Sequence, residues 1–577
     1  MVKRFGNAKF SKTNLYDLSF MRSAAIFLCL MVLAISADLQ AETGKSGNSG
    51  VPVKCATPHL LQFERDPERV DPNIRKQIAE ADDYESLDDQ VHYPESGKFR
   101  FVYSTDGSDA VPSDDSNGSG IPDYVEWAAE AADESYRKQI EELGFRDPTI
   151  HQGLECGNRI GIWQEEVITV RFRNFNFYGQ FHTTRPFEFL VHNNFENFPP
   201  NTDPDGNVRG ALRATIAHEF KHVIQYATSC FAGDAFSWLE IDATMMEDIV
   251  YPEVNDYYNY IEDSYSVFNT PHRSVPADDI NDTYGQVTWA LFYAEHLGMH
   301  MWADTWSAIG EDPHLPMAGA MTRSLWETSG YSKNEQFATL LARNHLWHAL
   351  SGSRQILGYG FPDAAVYPDG FMEQRHDPMP DLYEDTHQLP ALSGINRIFH
   401  VVPGRVGAIS LEATHDHDHL AFGITGYMRD GSAAEWVIPA DAGGQTSGAT
   451  RFSVSELDSF VVVVANAAHE DSLSYTLKLS VQSVPEVATL KHNFPNPVST
   501  SQGPPHTTIV FTVPESEKVA IDLYDLLGRR VRQLFNDEVG GGRHEVPVDA
   551  GGLSSGIYIY RLRTAHVQES GKMTLIR

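Results

Sequence analysis

The stretch 212-LRATIAHEFKHVIQYA-227 decides the fold of the central part of this chain. Its apolar residues recur every three to four positions, which predicts one buried face of an α-helix over about 211–228. His218 and His222 are four positions apart, so their Cβ atoms lie about 5–6 Å apart on one helix face. Both imidazoles can then reach one metal ion, with Glu219 beside them. The sequence predicts a metal site here, and the alternative is a solvated helix with two unrelated histidines.

A third ligand separates these two interpretations, because catalytic zinc takes three protein ligands and keeps one position open for water. The segment 237–248 is predicted to form a second helix. Glu240 and Glu247 are seven positions apart and therefore share a face of that helix. From the residues alone, either carboxylate could coordinate the ion.

The H-E-x-x-H motif followed by E-x-x-A, Glu240 to Ala243, resembles the gluzincin zinc peptidases. This resemblance implies that Glu240, eighteen positions after His222, is the third zinc ligand. Glu247 would then orient one of the ligating histidines. The alternative, in which Glu247 is the ligand and Glu240 orients a histidine, stays open. The segment 284-YGQVTWALFY-293 is similar to the tyrosine-plus-helix segment of gluzincin aminopeptidases, which implies that Tyr284 stabilises the tetrahedral intermediate. A tyrosine that only caps a core helix is the alternative.

The chemistry implied by these groups is hydrolysis of protein or peptide substrates. Zinc lowers the pKa of its water towards about 7, and Glu219 takes the proton as a general base. We therefore expect a zinc metallopeptidase. Two other classes of protein remain open: a surface binding or adhesion protein with a degenerate or structural zinc site, and an enzyme that acts on surface glycans.

A second metal-binding pattern precedes this region and fits a calcium loop of EF-hand type. The residues at loop positions 1, 3, 5, 6, 7, 9 and 12 are Asp115, Asn117, Ser119, Gly120, Ile121, Asp123 and Glu126. A strand at 99–103 replaces the usual entering helix, so the sequence predicts a structural Ca²⁺ loop without a full EF-hand. A polar turn that caps the next helix is the alternative. Asp203, Asp205 and Asn207 offer a weaker second pattern, for which a plain turn is expected.

Composition limits the possible partners and the compartment. The 577 residues carry a formal net charge of −35, and no cluster of Lys and Arg suits a phosphate backbone, so we expect no nucleic-acid partner. The apolar run 24–35 predicts a signal peptide over 1–41, with Met21 as a possible true start. Twelve apolar residues are too few to span a bilayer, so no transmembrane segment is expected in the mature chain.

Three cysteines remain after the predicted cleavage, namely Cys55, Cys156 and Cys230. In an exported protein they allow one disulfide and one free thiol. The sequence does not determine the pair. A Cys55–Cys156 bond is slightly favoured, because Cys230 follows the histidine helix directly and could be a buried apolar residue.

The pattern of apolar and polar residues changes beyond Pro390. Short apolar or alternating runs are separated there by Gly, Asp and Ser turns, which is typical of a β-sandwich. The final segments 490-LKHNFPNPVST-500, 519-VAIDLYDLLGRRV-531 and 552-GLSSGIYIYRL-562 resemble the C-terminal sorting domain of the type IX secretion system. That resemblance implies export to the outside or outer surface of a Gram-negative cell and contact with the type IX machinery.

The predicted fold class is multidomain: an α+β zincin-like metallopeptidase domain, then a β-sandwich, then a small β-rich Ig-like domain. The predicted boundaries are 1–41 for the signal peptide, 42–97 for an N-terminal arm or propeptide, 98–385 for the metallopeptidase domain, 390–484 for the sandwich and 487–577 for the sorting domain.

Overall fold

The computed structural model describes residues 53–66, 70, 72–76, 89–150, 167–182, 185, 187–279, 282–327, 337–482, 488–499, 505–514, 517–540 and 542–576. The predicted signal peptide, Met21 and Cys156 lie outside these residues. Within them, no helix is long and apolar enough to cross a membrane.

The first half of the described chain combines one mixed sheet with a group of helices. Its strands are β1 (Val53–Cys55), β2 (Gln90–His92), β3 (Phe99–Tyr103), β4 (Ile168–Arg173), β5 (Phe177–Phe181) and β6 (Glu188–His192). Its helices are α1 (Thr57–Arg65), α2 (Asp123–Tyr136), α3 (Asn207–Ser229), α4 (Leu239–Val250), α5 (Val287–Leu297), α6 (Met299–Glu311), α7 (Met317–Glu327) and α8 (Phe337–Ala349). A π-helical turn at Arg137–Glu142 continues α2.

The six strands lie in the order β1-β5-β6-β4-β3-β2. Strand β5 runs antiparallel to β6, whereas β1 runs parallel to β5 and forms the outer edge of the sheet. Phe99, Phe220 and Tyr136 pack together and join the sheet, α3 and α2 into one core. Helix α3 is buried over nearly its whole length, because the six-stranded sheet and the helices α2, α4 and α6 pack around it.

Two further sheets form a β-sandwich. One has the order β13-β10-β15-β8 and the other β12-β11-β14-β9-β7. The strands are β7 (Gln374–His376), β8 (Leu382–Leu389), β9 (Ser393–His400), β10 (Ala408–His415), β11 (Leu420–Met428), β12 (Ala433–Pro439), β13 (Gln445–Ser453), β14 (Leu457–Asn466) and β15 (Leu473–Gln482). The sandwich thus begins before the predicted boundary at 390, because β7 and β8 pair with its strands.

Helix α8 connects the sandwich to the helical region. It packs on β11 and β14, and Leu346 lies against Gly423, where a Cβ atom would come within 2.9 Å of its side chain. The two regions therefore share buried apolar surface, and the sandwich supports the helices around α3.

The C-terminal region is a separate small β-domain with its own core. Its sheets have the orders β16-β18-β21 and β17-β23-β22-β19-β20. The strands are β16 (Thr489–Leu490), β17 (Val498–Ser499), β18 (His506–Val513), β19 (Glu517–Tyr524), β20 (Arg530–Val539), β21 (Gly542–Asp549), β22 (Gly556–Arg563) and β23 (Gln568–Ile576). Val519, Ile521 and Leu523 alternate into this core, as the period of two along a strand requires.

Candidate metal centre

Helices α3 and α4 bring three predicted zinc ligands together. His218 and His222 lie one turn apart on α3, and Glu240 lies in the first turn of α4. The Nε2 atom of His218 is 3.1 Å from Glu240 Oε2, and that of His222 is 3.2 Å from Glu240 Oε1. All three side chains are buried. The Glu240 carboxylate therefore faces the same nitrogen atoms that would bind an ion.

Each histidine is held from its other ring nitrogen. His218 Nδ1 lies 2.7 Å from Glu247 Oε1, and His222 Nδ1 lies 2.8 Å from Gln225 Oε1. Gln225 in turn donates to Asp242 Oδ2 over 2.7 Å. Because these oxygens accept a hydrogen bond from Nδ1–H, they leave the Nε2 lone pairs free for a metal.

The donor set fits zinc by chemistry and by spacing. Two imidazole nitrogens and one carboxylate are a common ligand set of catalytic zinc. Nitrogen and oxygen ligands bonded at about 2.0–2.2 Å around a tetrahedral centre are about 3.3–3.6 Å apart. The separations between the Nε2 atoms and the Glu240 oxygens are close to this range.

The charge of the site also favours a cation. Burial disfavours the charged imidazolium of His218, but the carboxylates of Glu240 and Glu247 outweigh burial and raise the pKa of His218 to about 10. Burial opposes ionisation of Glu240 as well, yet the two histidines hold the pKa of that carboxyl well below its usual range. The carboxylate of Glu240 is therefore ionised and available as a ligand.

Glu219 is fully buried beside this group and its carboxylate lies against the sheet. A Cβ atom at Gly179 of β5 would lie 2.5 Å from Glu219 Oε1, so a larger residue there would displace the Glu219 side chain. Among the described residues, neither carboxylate oxygen has a hydrogen-bond partner of ordinary geometry. Burial raises the pKa of Glu219, and the nearby His222 and His218 oppose that shift. The thiol of Cys55 is the side chain that interacts with this carboxylate.

Tyr284 lies at the same site, in a 3-10 turn before α5. Its ring is stacked against that of His218, with centroids 6.3 Å apart. Its hydroxyl donates to the backbone oxygen of Cys55 over 3.4 Å. Among the other nearby phenols, Tyr257 bonds to Tyr367 and is directed away from the group. Tyr284 is thus placed to donate to a carbonyl oxygen beside the ligands.

Strand β1 adds a residue that the sequence analysis did not assign to the site. Cys55 Sγ lies 3.6 Å from His222 Nε2. The thiol, the two histidines and Glu240 form one buried group whose ligand atoms lie within 4.8 Å of one another. Cys55 is a free thiol and Cys230 is disulfide-bonded, so the favoured Cys55–Cys156 pair was wrong. The physical reason is the pairing of β1 with β5, which buries Cys55 at the ligand group.

Lys54 fixes the same strand on the other side of the site. Its Nζ lies 2.8 Å from Glu247 Oε2 and also pairs with Asp256, and all three side chains are almost completely buried. Burial alone would lower the pKa of Lys54, but these two carboxylates raise it well above the usual value. The lysine is therefore a charged anchor of β1.

The sequence contained weak signals for these additional residues. Gln225 stands one helical turn after His222, which places it on the ligand face. Cys55 was visible as a thiol in the predicted arm or propeptide, but no sequence pattern indicated where it lies. Asp242 and Lys54 carried no signal, because their roles depend on contacts between distant segments.

The predicted calcium loop has the turn geometry that its pattern requires. Gly120, at loop position 6, has a φ of +85°, and Gly118 a φ of +73°, both in the left-handed region that glycine tolerates. The amides of Ser119 and Gly120 donate to the Asp115 carboxylate over 3.0 and 2.9 Å. Asn117 donates to Glu126 Oε2 over 2.7 Å. Loop positions 3 and 12 are therefore in contact, but among the described residues the carboxylates of Asp115, Asp123 and Glu126 do not form a group of ligand atoms within 4.8 Å of one another.

The remaining loop positions are arranged similarly. Ser119 Oγ lies 3.3 Å from the backbone oxygen of Ile121, which is the oxygen expected at position 7. Asp123 Oδ1 accepts from the amide of Ser116 over 3.0 Å. In the second acidic pattern, by contrast, Arg213 pairs with both Asp203 and Asp205. That segment is a turn neutralised by arginine.

We expect Ca²⁺ to raise the thermal unfolding temperature through this loop. A ligand at 100 times its Kd stabilises a native protein by about 2.7 kcal/mol. Glu126→Gln removes the bidentate carboxylate of position 12 and should abolish most of the shift. Asp205→Asn, in the turn held by Arg213, is the matched control and should keep it. Equal calcium shifts in all three proteins, measured by scanning calorimetry, would refute the site.

Comparison with known proteins decides the nature of the C-terminal region. Residues 493–576 match the family described as "Secretion system C-terminal sorting domain". The chain ends in a type IX sorting domain. The protein is therefore secreted or displayed at the cell surface, and its sorting domain contacts the type IX secretion machinery.

Other comparisons are less informative. No curated protein matches the chain. Solved structures with similar segments include a periplasmic inhibitor of g-type lysozyme from Aeromonas hydrophila, at 13% identity over 19% of this chain and 96% of that one, with a TM-score of 0.14. A beta-1,2-glucanase from Parabacteroides distasonis is 9% identical over 34% of this chain and 37% of that one, with a TM-score of 0.12. Likeness at this level carries no functional argument.

Proposed function

We propose that this secreted or cell-surface protein is a zinc-dependent peptidase of the gluzincin type, with a zincin-like α+β catalytic region. The carrying observation is the convergence of His218, His222 and Glu240 around one point, with the unpartnered carboxylate of Glu219 beside it. Three ligands and an adjacent general base are what metal-assisted hydrolysis requires. A structural zinc site has no use for such a base.

The proposed mechanism assigns a task to each side chain. A zinc ion held by His218, His222 and Glu240 would act as a Lewis acid. It would lower the pKa of bound water towards about 7 and polarise the substrate carbonyl. Glu219 accepts the proton of the attacking water and then delivers it to the leaving amine. Tyr284 donates a hydrogen bond to the carbonyl oxygen as negative charge develops there.

The edge of β5 that β1 occupies in this structure is the place where a peptide substrate could bind. Gly179 lies on β5, directly against the Glu219 carboxylate. A peptide that pairs with β5 as an added strand would run past the general base and the three ligands. Main-chain hydrogen bonds of this kind recognise an extended backbone and suit protein or peptide substrates.

A structural zinc site in a surface binding protein is the second candidate function. The observation in its favour is Cys55, which gives the group four protein ligand atoms, the number typical of closed structural sites. Unpartnered Glu219 argues against this alternative. The two functions differ in whether the protein hydrolyses peptides once the thiol is displaced.

The test is removal and return of the metal. We expect the purified chain to hold one zinc per molecule, measured by mass spectrometry of the metal. Cleavage of casein or of a peptide library should disappear after chelation and return with zinc. Assays are run before and after the free thiol is blocked with a mercurial, because Cys55 lies at the ligands. Bound zinc without cleavage in either state would favour the structural role, and chelator-resistant cleavage would refute zinc catalysis.

A further inference from the structure

We propose that Cys55 is a fourth zinc ligand and that strand β1 is an internal occupant of the substrate groove, so that the folded full chain is the latent form of the enzyme. This inference rests on the proposed peptidase function. It names the residue that regulates the site and the way in which the site is blocked.

The spacing of the ligand atoms suits a thiolate ligand at Cys55. Cys55 Sγ and His222 Nε2 are 3.6 Å apart. A thiolate at about 2.3 Å and an imidazole at about 2.0 Å from a tetrahedral zinc are separated by about 3.5 Å. The thiol thus lies where a fourth ligand belongs. In a catalytic site that position is left to water.

Strand β1 lies against both the general base and Tyr284. Cys55 pairs with Gly179 in the register of the sheet, and Gly179 is the residue against which Glu219 packs. The backbone oxygen of Cys55 also accepts the hydroxyl of Tyr284. In the proposed mechanism that hydroxyl belongs to the substrate carbonyl. One residue of β1 therefore occupies both the water position and the carbonyl position.

Strand β1 is an outer strand that pairs with the edge of β5. Without it, β5 would be the edge of the sheet, with its outer backbone groups unpaired and ready to accept an extended peptide. Strand β1 satisfies that edge, and Ala56 continues the pairing by donating to the backbone oxygen of Gly179 over 3.0 Å. A substrate can use this edge only after β1 has left it.

Strand β1 is also held by an ionic contact that is separate from its pairing with β5. Lys54 contacts Glu247 and Asp256 in the protein interior, and its ammonium lies 4.4 Å from the ring centroid of Tyr178. Glu247 also holds His218. Strand β1 is thus held at the ligand group by two adjacent residues, Lys54 through its charge and Cys55 through its thiol.

In the activation step the Zn–S bond would break, the Cys55 sulfur would take up a proton from solvent or bond to the mercury of an added mercurial, and water would take the position that the sulfur leaves. Strand β1 then separates from β5, which opens the edge of the sheet to a substrate. The competent fraction of the enzyme sets the measured activity. If the thiolate holds the position in about nine molecules of ten, its removal raises activity about tenfold, and more if occupancy is higher.

The experiment combines zinc X-ray absorption with peptide cleavage on the full chain. In the unmodified protein we expect one sulfur at about 2.3 Å from zinc and low cleavage. Cys55→Ser should keep zinc and lose the sulfur, and because β1 then loses one of its two attachments and leaves β5 more often, it should cleave at least about tenfold faster. Lys54→Met is the matched control: it weakens the anchor but keeps the thiolate, so the sulfur should remain. If Cys55→Ser does not fold, the unmodified protein treated with a mercurial provides the same comparison.

Each outcome separates the inference from the peptidase proposal. Zinc bound only by nitrogen and oxygen in the unmodified protein, together with cleavage, overturns the role of Cys55 and leaves the peptidase intact. If Lys54→Met and Cys55→Ser gain the same cleavage activity while Lys54→Met keeps the zinc–sulfur bond, the thiolate is not what blocks the site. Sulfur bound to zinc with no cleavage in any form overturns latency and the peptidase together, as does the absence of zinc.

Discussion

Replacing Glu219 with glutamine will reduce peptide hydrolysis about 10²- to 10⁴-fold while zinc stays bound, because the amide cannot accept the proton of the attacking water. The loss should fall on kcat, since Glu219 is not among the proposed zinc ligands. Its carboxylate has no hydrogen-bond partner of ordinary geometry among the described residues and interacts with the thiol of Cys55, so the amide disturbs few native contacts.

The Glu219→Gln assay is run in a Cys55→Ser background as well as in the unmodified chain, so that occupation of the groove cannot hide the effect. Zinc content and kcat are measured on the same preparations. Glu130→Gln is the control, because Glu130 is exposed on α2 and pairs only with Arg209 in the described contacts. Full activity of the Glu219 variant at normal zinc content would eliminate the proposed mechanism.

Replacing Glu240 with glutamine will weaken zinc binding far more than the same change at Glu247. The Glu240 oxygens face both Nε2 atoms, whereas Glu247 contacts only one of the two histidines, through Nδ1 of His218. Loss of an outer partner of a ligating histidine typically lowers metal affinity about 10- to 100-fold. Loss of a ligand should exceed that, and the variant should lose cleavage along with its zinc.

Competition with a chromophoric chelator gives the zinc affinity of both variants, and the two substitutions are chemically matched. Glu247→Gln also removes one partner of Lys54, so its folding is checked by circular dichroism. If Glu247→Gln loses more zinc affinity than Glu240→Gln, the roles of the two carboxylates are exchanged. The alternative assignment left open by the sequence would then be correct.

The helices that carry the site were predictable because their signals are local. The sequence predicts a helix over about 211–228 and a second over 237–248, and the structure has α3 at Asn207–Ser229 and α4 at Leu239–Val250. Apolar periodicity and i to i+4 spacing depend only on helix geometry. The strands of the last two domains were visible for the same reason, through alternation and turn residues.

The start of the sandwich was less well predicted. Strand β7 is only three residues long, at Gln374–His376, and belongs to the sandwich because it pairs in parallel with β9. So short a segment has no periodicity of its own. Its membership depends on a partner strand whose register the sequence does not state.

The sequence by itself determined the chemistry of α3, two imidazoles and a carboxylate with fixed spacing, and the sorting domain at the C-terminus. Only the tertiary structure decided which distant residues join that chemistry. Cys55 lies 167 positions from His222, and their contact exists because β1 pairs with β5 at Gly179. Helical spacing is a property of neighbouring residues. Strand pairing depends on the whole sheet, which is why the free thiol at the ligand group could not be read from the sequence.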